Sequence, residues 1–537
     1  MRPTSSAAWR LIAAHGAAIG LLAIVALGGV LRTIGVRFGS PYVYHPDEWV
    51  IAKSAMAMVR DGDWNPHQFY YSSFLIDLEA ILVAVRHAFG GAALVTDQAW
   101  LYESEVIPAQ FGYVLLGRLM VVVMGTATIV AVFAAARRLA GTPAGLAAAA
   151  TLAVMPLHVI HSHYLTTDVP VALMCALTLL ATLRAATERS GRWWLLAGIL
   201  AGLAGSTKWN GLAVIGVPLL AWAVTSIDPR HVRGSLRATA PWLSVAGALA
   251  GLVVATPAVL FDAGAVVEAL RRQATIYSTF DVGDGQGTVG FHAQALIGGV
   301  GILLVPCLVG LAILAWRSWR MPAQRVAIVV PAFVLAYLVI ASLPRLHYER
   351  NLVPILPYMA VGGGVAVALA WSRLLEVSGR RTGPAGGRHP SRSPAWLRIL
   401  VLGALIVILV LPTITSVSAG LRLRRPDTRD TALGWMLDNL PRRTAIAREL
   451  GSPQTSLDQF RFRGSYFLWQ QDLAWYRDHG VRYLVASSTT YDRFVGRSNE
   501  AGDAFYRELF ALPEVFRVNA GDDRPGPTIR IFRLDPG

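Results

Sequence analysis

Two adjacent carboxylates, Asp47 and Glu48, lie in the short motif YHPDEW, which follows the first long apolar segment. A carboxylate next to an imidazole, here His45, can take the proton of a reacting hydroxyl group. Acidic residues directly after a proline are also typical of the first turn of a helix, where they favour the helix dipole. The motif alone therefore fits either an acid–base site or a helix start.

A second polar cluster lies between two apolar segments near the end of the first third of the chain. Its members are His158, His161, His163, Tyr164, Thr167 and Asp168. Imidazole nitrogen and carboxylate oxygen suit zinc or manganese, so a divalent metal held by His161, His163 and Asp168 is one interpretation. The other is a helix N-cap at Thr167 or Asp168 surrounded by interfacial histidines.

Two further segments supply cations. Lys208, one of only two lysines in the chain, lies in STKWNG between two apolar segments, where it can snorkel to the interface or contact an anionic headgroup. Arg345, His347 and Arg350 lie in RLHYERN, and the two prolines that follow predict a broken helix beside a cavity. Guanidinium is well suited to phosphate because it offers paired donors.

The composition indicates a membrane protein. Of the 537 residues 54% are hydrophobic and only 15% are charged, and the mean hydropathy is +0.48. Soluble globular proteins have about 25% charged residues. The two cysteines, Cys175 and Cys307, lie in apolar segments and exclude a disulfide framework. The net charge of +15 does not indicate a nucleic-acid partner, because basic residues also gather in the cytoplasmic loops of membrane proteins.

Eleven segments are apolar and long enough to predict membrane-spanning helices. They cover residues 11–31, 113–136, 142–157, 169–187, 193–206, 209–226, 241–261, 293–316, 327–343, 352–372 and 397–418. With the N-terminus in the cytoplasm, most of the arginines before residue 419 fall in inside loops, as the positive-inside rule requires. This orientation puts all four polar clusters on the outer face of a multi-pass protein of the plasma membrane.

The remaining segments complete the predicted architecture. Residues 70–90 carry Asp77, Glu79, Arg86 and His87, which disfavour a membrane span, so we predict an amphipathic helix at the interface within an outer loop over 37–112. The stretch 377–395 has the composition of a cytoplasmic linker. Beyond residue 419 the hydropathy falls. The sequence thus predicts an all-α polytopic membrane bundle over 1–418 and a small extracytoplasmic α/β domain over 419–537.

That α/β domain is predicted from capping residues and from apolar alternation. Asp427 or Thr428 can cap a helix that ends near Leu440. Strands are expected near 444–448, 482–486, 514–518 and 527–533, with helices near 471–479 and 501–511 between some of them.

The four polar segments together resemble the multispanning GT-C glycosyltransferases, in particular the protein O-mannosyltransferase and aminoarabinose-transferase-like group. They are YHPDEW at 44–49, HSHYLTTDVP at 161–170, STKWNG at 206–211 and HYERNLVPILPY at 347–358. The resemblance covers roughly residues 10–420. It departs from the family where an arginine often precedes the second acidic residue, because His161 and His163 stand near that position here.

The resemblance implies a glycosyltransferase that takes a hexose or pentose from a polyprenyl-phosphate-linked donor. By this resemblance Asp47 would deprotonate the acceptor hydroxyl, Glu48 would support it and Asp168 would position the acceptor or the base. Lys208 and Arg350 would contact the leaving lipid phosphate. No cofactor is implied with certainty, because the nearest relatives are metal-independent and more distant ones are metal-assisted.

The residues around these positions receive supporting roles. Arg345 and His347 are candidates for the phosphate site, and the candidates for the support of the carboxylates are His45, His161, His163 and Tyr164. The acceptor is left open between protein, lipid and glycan.

Two other functions fit the same residues. A transporter or flippase of lipid-linked sugars would use the basic and aromatic surface without needing Asp47. An arabinosyl- or oligosaccharyl-type transferase would depend more on a metal at His161, His163 and Asp168. In all three cases membrane lipids are partners and nucleic acid is not.

Overall fold

The fold is taken from a computed structural model, which describes residues 5–94, 110–226, 239–279, 287–377, 395–455, 459–464, 466–497, 499–521 and 523–534. Helices dominate the first four fifths of the chain. The α-helices there are α1 (Ser5–Thr33), α2 (Pro46–Asp61), α3 (Ser73–Ala88), α4 (Phe111–Val154), α5 (Pro156–His161), α6 (Asp168–Glu188), α7 (Gly191–Thr207), α8 (Gly216–Ser226), α9 (Thr239–Ala255), α10 (Ala258–Phe261), α11 (Ala263–Thr279), α12 (Thr288–Val300), α13 (Leu304–Arg320), α14 (Val329–Ser342), α15 (Leu356–Val377) and α16 (Ala395–Arg422).

Short 3₁₀ helices continue several of these helices. They are Trp209–Ile215 before α8, Gly301–Leu303 between α12 and α13, Pro322–Ile328 before α14 and Glu349–Ile355 before α15. Within the described ranges every one of the eleven predicted spans falls on a helix, and seven helical segments meet a strict length and hydropathy criterion for crossing a membrane. The predicted polytopic bundle is confirmed. Most of the predicted linker at 377–395 lies outside the described residues.

The second and third predicted spans form one 44-residue helix, α4, with a sharp break inside it. Gly141 has φ +83° and ψ 177°, a conformation that glycine adopts without the steric cost that a Cβ would bring. The break separates residues 111–139 from residues 142–154, so the chain reverses direction there without a loop.

Close helix packing depends on glycine at several contacts. A Cβ on Gly202 of α7 would lie 2.1 Å from the Ala248 carbonyl oxygen, and a Cβ on Gly251 of α9 would lie 2.3 Å from the Ile199 carbonyl oxygen. Small residues let helix backbones approach within a membrane, where dispersion rather than the hydrophobic effect drives association. Here they bring α7 and α9 into direct backbone contact.

The helix predicted at the interface, α3, packs one face into the bundle. Glu79 lies on that face and is completely buried, while Ile81, Val85 and Phe89 are exposed. Of the four ionisable groups of this segment, Glu79 is thus buried within the bundle. Burial, together with the charge of Glu48, raises the pKa of Glu79 well above its usual value. The neutral acid is the form that such a site tolerates.

The C-terminal part forms a small α/β fold. Its elements are α17 (Thr428–Asn439), β1 (Ala445–Arg448), β2 (Arg461–Gly464), a 3₁₀ helix (Leu468–Gln470), α18 (Leu473–Asp478), β3 (Tyr483–Ser487), α19 (Ser488–Tyr491), α20 (Glu500–Phe510), β4 (Glu514–Val518) and β5 (Ile529–Arg533). The strand order is β2-β1-β3-β5-β4, with β1 parallel to β2 and β3 and the other pairs antiparallel. Four strands and three helices match the prediction, including the Asp427 cap; β2 was missed because its four residues, RFRG, carry one large apolar side chain.

This C-terminal fold contacts the chain just before α2. The Gln454 side chain donates to the Val43 carbonyl oxygen at 2.5 Å and accepts from the Val43 amide at 3.2 Å. Arg429 lies over the Tyr44 ring at 3.9 Å and donates to the Tyr44 carbonyl oxygen, while the Tyr44 hydroxyl donates to Asp430. The C-terminal fold therefore holds the segment that leads into Asp47.

Candidate active site

Asp47 and Glu48 lie in the first turn of α2, which begins at Pro46. His45 is the N-cap, and its Nδ1 accepts a hydrogen bond from the Asp47 amide at 3.3 Å. Adjacent residues of a helix point about 100° apart. The two carboxylates therefore leave the helix in different directions. The predicted helix start is confirmed, and it is this helix start that aims the two acids apart.

Glu48 points into the bundle and pairs with an arginine. Arg118 donates to both carboxylate oxygens of Glu48 at 2.7 Å, and the Leu165 amide donates to the same carboxylate at 2.9 Å. Both side chains are fully buried. Arg118 also donates to the carbonyl oxygens of Val36 and Phe38 at 2.8 Å each. Glu48 thus ties α2 to α4 and to the loop after α5.

Asp47 points the other way, into a pocket. Arg350 donates through Nη1 to Asp47 Oδ2, and Tyr71 lies beside the same carboxylate. Burial, reinforced by the charge of Asp47, raises the pKa of Tyr71 well above its usual value, so the phenol stays protonated. Asp47 therefore has a cation and a neutral phenol next to it.

A second carboxylate–cation pair lies in the same pocket. Lys208 Nζ donates to Asp168 Oδ1 at 2.7 Å and to Asn351 Oδ1 at 3.2 Å. Asp168 is the first residue of α6, where the helix dipole favours a negative charge. Lys208 follows α7 in an extended conformation (φ −152°, ψ 126°), which interrupts the helix and turns the ammonium toward Asp168.

The pocket draws on segments far apart in the sequence. Its lining residues are Asp47, Tyr70, Tyr71, Ser72, Thr167, Asp168, Thr207, Lys208, Trp209, Gln273, Tyr277 and Arg350. All four polar segments of the sequence meet here. Two acids that can accept a proton stand beside two cations that can hold a phosphate, with aromatic side chains around them.

Arg345 and His347 lie elsewhere among the described residues. His347 is buried, its Nδ1 contacts the Arg345 carbonyl oxygen at 2.8 Å, and its ring packs on Phe291 with centroids 4.3 Å apart. Arg345 is exposed, and its amide donates to the Tyr277 carbonyl oxygen. Neither residue lines the pocket that holds Arg350.

The histidines near Asp168 belong to a packed cluster behind the pocket. The Tyr164 ring contacts His45 at 4.8 Å and His161 at 6.2 Å between centroids. His161 Nε2 lies 3.7 Å from Glu349, and His163 Nδ1 faces the Ile160 carbonyl oxygen at 3.1 Å. Burial lowers the pKa of both His45 and His163, which favours the neutral rings.

The residues proposed as metal ligands do not form a metal cluster. Within the part of the chain that the structure describes, no three side chains of His, Cys, Asp or Glu gather as metal ligands do. Asp168 is paired with Lys208, and His163 faces a backbone carbonyl.

A family model described as dolichyl-phosphate-mannose-protein mannosyltransferase matches residues 114–261. The oligosaccharyltransferase of Archaeoglobus fulgidus in the apo form has a similar structure, with a TM-score of 0.60 and 12% identity over 96% of this chain and 76% of that chain. ArnT from Cupriavidus metallidurans, bound to undecaprenyl phosphate, gives a TM-score of 0.55 and 16% identity over 95% and 97%. The chain has the GT-C glycosyltransferase fold. No curated protein matches the sequence significantly.

A further structure of the same GT-C fold was solved with ligands. It is archaeal AglB from Archaeoglobus fulgidus in complex with an inhibitory peptide and a dolichol-phosphate, with a TM-score of 0.57 and 13% identity over 96% of this chain and 76% of that chain. The expected polytopic GT-C bundle with a small C-terminal α/β domain is thus confirmed.

Several residues in the pocket or next to it were not predicted from the sequence. Arg118, which pairs with Glu48, was detectable, because an arginine inside an apolar helix is a functional or structural candidate by default. Asn351, which accepts from Lys208, adjoins Arg350 but carries no signal of its own. Tyr71, Gln273 and Tyr277 line the pocket and come from two segments whose packing against the bundle has no local sequence signature.

Proposed function

We propose that this protein is a glycosyltransferase that moves a sugar from a polyprenyl-phosphate-linked donor to an acceptor hydroxyl at the extracytoplasmic face of the membrane. One observation carries the proposal. The pocket joins two carboxylates, Asp47 and Asp168, with two cations, Lys208 and Arg350, at the ends of membrane helices. A lipid-linked phosphate reaches such a site from the bilayer, which explains why the pocket belongs to a polytopic bundle.

Each of the pocket residues has a different role in the proposed reaction. Asp47 takes the proton of the acceptor hydroxyl as its oxygen forms a bond to the anomeric carbon of the sugar. The bond between that carbon and the phosphate oxygen breaks, and its electron pair leaves with the polyprenyl phosphate. Lys208 and Arg350 stabilise the negative charge that develops on the phosphate. Asp168 positions Lys208, and Glu48 supports the site through Arg118 without touching the substrate.

This division needs no separate general acid. Phosphate is a stable anion, so its departure requires cations rather than a proton donor. None of these steps calls for the metal of the alternative arabinosyl- or oligosaccharyl-type transferase. The pocket walls add Tyr70, Tyr277 and Trp209, aromatic side chains with polar groups that suit a polyol ligand.

The relatives support the class of donor. The family model that matches residues 114–261 is that of dolichyl-phosphate-mannose-protein mannosyltransferases. ArnT was solved with undecaprenyl phosphate and AglB with dolichol-phosphate, and both lipids carry a phosphate on a polyprenyl-type chain. We infer the same donor class here, with a protein, lipid or glycan acceptor.

The proposed division of the chain follows from this site. Residues 1–418 form the catalytic membrane domain and residues 419–537 an extracytoplasmic domain of a plasma-membrane protein whose N-terminus is cytoplasmic. The contacts of Gln454 and Arg429 with the segment before α2 support this arrangement, since they put the C-terminal fold on the same side as Asp47.

The test uses the full chain in nanodiscs with a panel of polyprenyl-phosphate hexoses and pentoses and with membrane extracts as acceptor source. We expect release of polyprenyl phosphate together with a new glycosidic product, and we expect the Asp47→Asn variant to lose both. Transfer retained in full by that variant would refute the role of Asp47. Transport of the intact lipid-linked sugar across sealed vesicles, without a new glycosidic bond, would instead identify a flippase.

A further inference from the structure

Both cations assigned to the donor phosphate are already bonded to the carboxylates assigned to the acceptor side. Arg350 donates to Asp47, and Lys208 donates to Asp168 at 2.7 Å. These pairs are largely shielded from water, with side-chain exposures of 22% and 14% in the first pair and 18% and 2% in the second. Each cation must therefore give up its hydrogen bond to a carboxylate before it can bind the phosphate, and Asp47 must give up Arg350 before it can accept a proton.

The geometry of these bonds makes the two roles compete. An oxygen of Asp47 that accepts from Arg350 has that lone pair occupied, and the N–H group that donates to it is not available to a phosphate oxygen. Charge-assisted bonds in a shielded pocket are strong enough that this competition affects affinity. A phosphate is the natural competitor, because it offers an arginine paired acceptor oxygens just as a carboxylate does.

We propose that Asp47 and Asp168 hold the phosphate-binding cations in the empty enzyme, and that the donor phosphate takes Arg350 and Lys208 from them. The exchange frees the carboxylate of Asp47 for the acceptor hydroxyl. The base is thus released only when the donor is in place, so that productive binding is ordered, donor first. This inference rests on the proposed function and adds to it the order of binding.

The two pairs are not equivalent. Lys208 has a second acceptor in Asn351 Oδ1 at 3.2 Å, which keeps the ammonium in the pocket when Asp168 lets go. Arg350 stacks on the Tyr348 ring at 4.6 Å, a contact that lets the guanidinium slide across the ring face. The neutral phenol of Tyr71 also lies beside Asp47. Donor binding should therefore change the pair of Asp47 and Arg350 more than the pair of Asp168 and Lys208.

The proposal gives Asp47 an effect opposite to that of an ordinary binding residue. Replacing Asp47 by asparagine removes the competitor for Arg350. The affinity for polyprenyl phosphate should then rise, although transfer is lost. Simple repulsion between a carboxylate and a phosphate would also raise the affinity, so the test must separate repulsion from the exchange of Arg350.

A double-mutant cycle makes this separation. The probe is undecaprenyl phosphate, and its dissociation constant is measured for wild type, Asp47→Asn, Arg350→Gln and the double variant in detergent. The matched control is Glu349→Gln, since Glu349 is adjacent to Arg350, is 58% exposed at its side chain and bonds to neither cation.

We expect Asp47→Asn to bind undecaprenyl phosphate roughly tenfold more tightly, a coupling of ordinary size between two groups. The gain should disappear in the Arg350→Gln background, and Glu349→Gln should bind like wild type. An equal gain in both backgrounds would overturn the proposal in favour of plain repulsion, and unchanged or weaker binding by Asp47→Asn would overturn it outright.

Two further measurements keep the outcome clear. Asp168→Asn tests the second pair and should give a smaller gain, because Asn351 already orients Lys208. Thermal melting shows whether each variant is folded. If Asp47→Asn does not fold, the cycle is carried out on the second pair, with Asp168→Asn and Lys208→Met. Wild type that fails to bind undecaprenyl phosphate at all would refute the proposed function rather than the exchange.

Discussion

Asp47 and Arg350 are 303 residues apart in the sequence and form an ion pair at the centre of the pocket. The carboxylate comes from the first turn of α2, and the guanidinium comes from the 3₁₀ helix that precedes α15. Neither of these two elements forms the pocket by itself. The pair therefore exists only because the bundle brings the start of α2 against the 3₁₀ helix before α15.

The adjacent acids Asp47 and Glu48 should behave differently on substitution. Asp47→Asn should lower the transfer rate by about 10²–10⁴-fold, the usual contribution of a general base, and leave the melting temperature near that of wild type. Glu48→Gln should cost about 3–5 kcal/mol of stability, because it leaves Arg118 buried without its counter-charge. Thermal melting in nanodiscs together with transfer assays measures both.

A double replacement tests the reason for the second effect. Glu48→Gln combined with Arg118→Met removes both buried charges and should recover much of the melting temperature lost by Glu48→Gln alone. If Glu48→Gln lost activity without losing stability, the structural role of Glu48 would be refuted.

The two lysines of the chain give a second matched comparison. Lys208→Met should lower kcat/KM for the donor by about 10²–10³-fold, the range seen when one donor to a developing oxyanion is lost. Lys53, which lies over the Trp49 ring at 5.4 Å and outside the pocket, serves as the control, and Lys53→Met should remain near wild type. Steady-state kinetics with varied donor measures the difference; equal losses in the two variants would contradict a phosphate role for Lys208.

His45 should make the site sensitive to acid. Its Nδ1 caps α2 only while the ring is neutral, and burial lowers the pKa of His45 below its usual value. When folding lowers the pKa of a histidine, its neutral ring makes its full contribution to stability above the pKa of the unfolded chain, about 6.5. That contribution is lost as the pH falls through the lower pKa of the folded protein. Melting temperature and transfer rate should therefore both decline on acidification.

His45→Asn separates this effect from other titrations. Asparagine keeps a side-chain acceptor for the helix cap and carries no titratable group, so the variant should decline less steeply in acid than wild type. His479→Asn, an exposed histidine of the C-terminal fold, is the control and should follow the wild-type curve. Identical acid slopes in wild type and His45→Asn would exclude the cap as the cause.

Gln454 should support catalysis from a distance. Its amide makes two hydrogen bonds to the backbone of Val43, four residues before Asp47. Gln454→Ala should lower kcat with little change in KM for the donor, since it loosens the segment that aims Asp47 and leaves Lys208 and Arg350 in place. Gln471→Ala, at an exposed position of the same fold, should leave kcat unchanged. A change in donor KM alone would contradict a positioning role.

Composition and periodicity were sufficient for the architecture. Long apolar segments must be helical in a bilayer, because every backbone polar group there needs an internal partner. Ionisable residues beside such apolar segments are functional candidates by default, which singles out Asp47, Asp168, Lys208 and Arg350. The break at Gly141 was visible only as a short gap between two apolar runs.

What the sequence determined was the set of candidate reactive groups; what only the tertiary structure decided was which of them meet. Asp47 and Glu48 look alike in the motif, yet one faces the pocket and the other is sealed against Arg118. Arg345, His347 and Arg350 share one segment, and only Arg350 reaches the pocket. The physical reason is that side-chain direction depends on the exact start of each helix and on packing between helices distant in sequence, and neither is encoded in a local pattern.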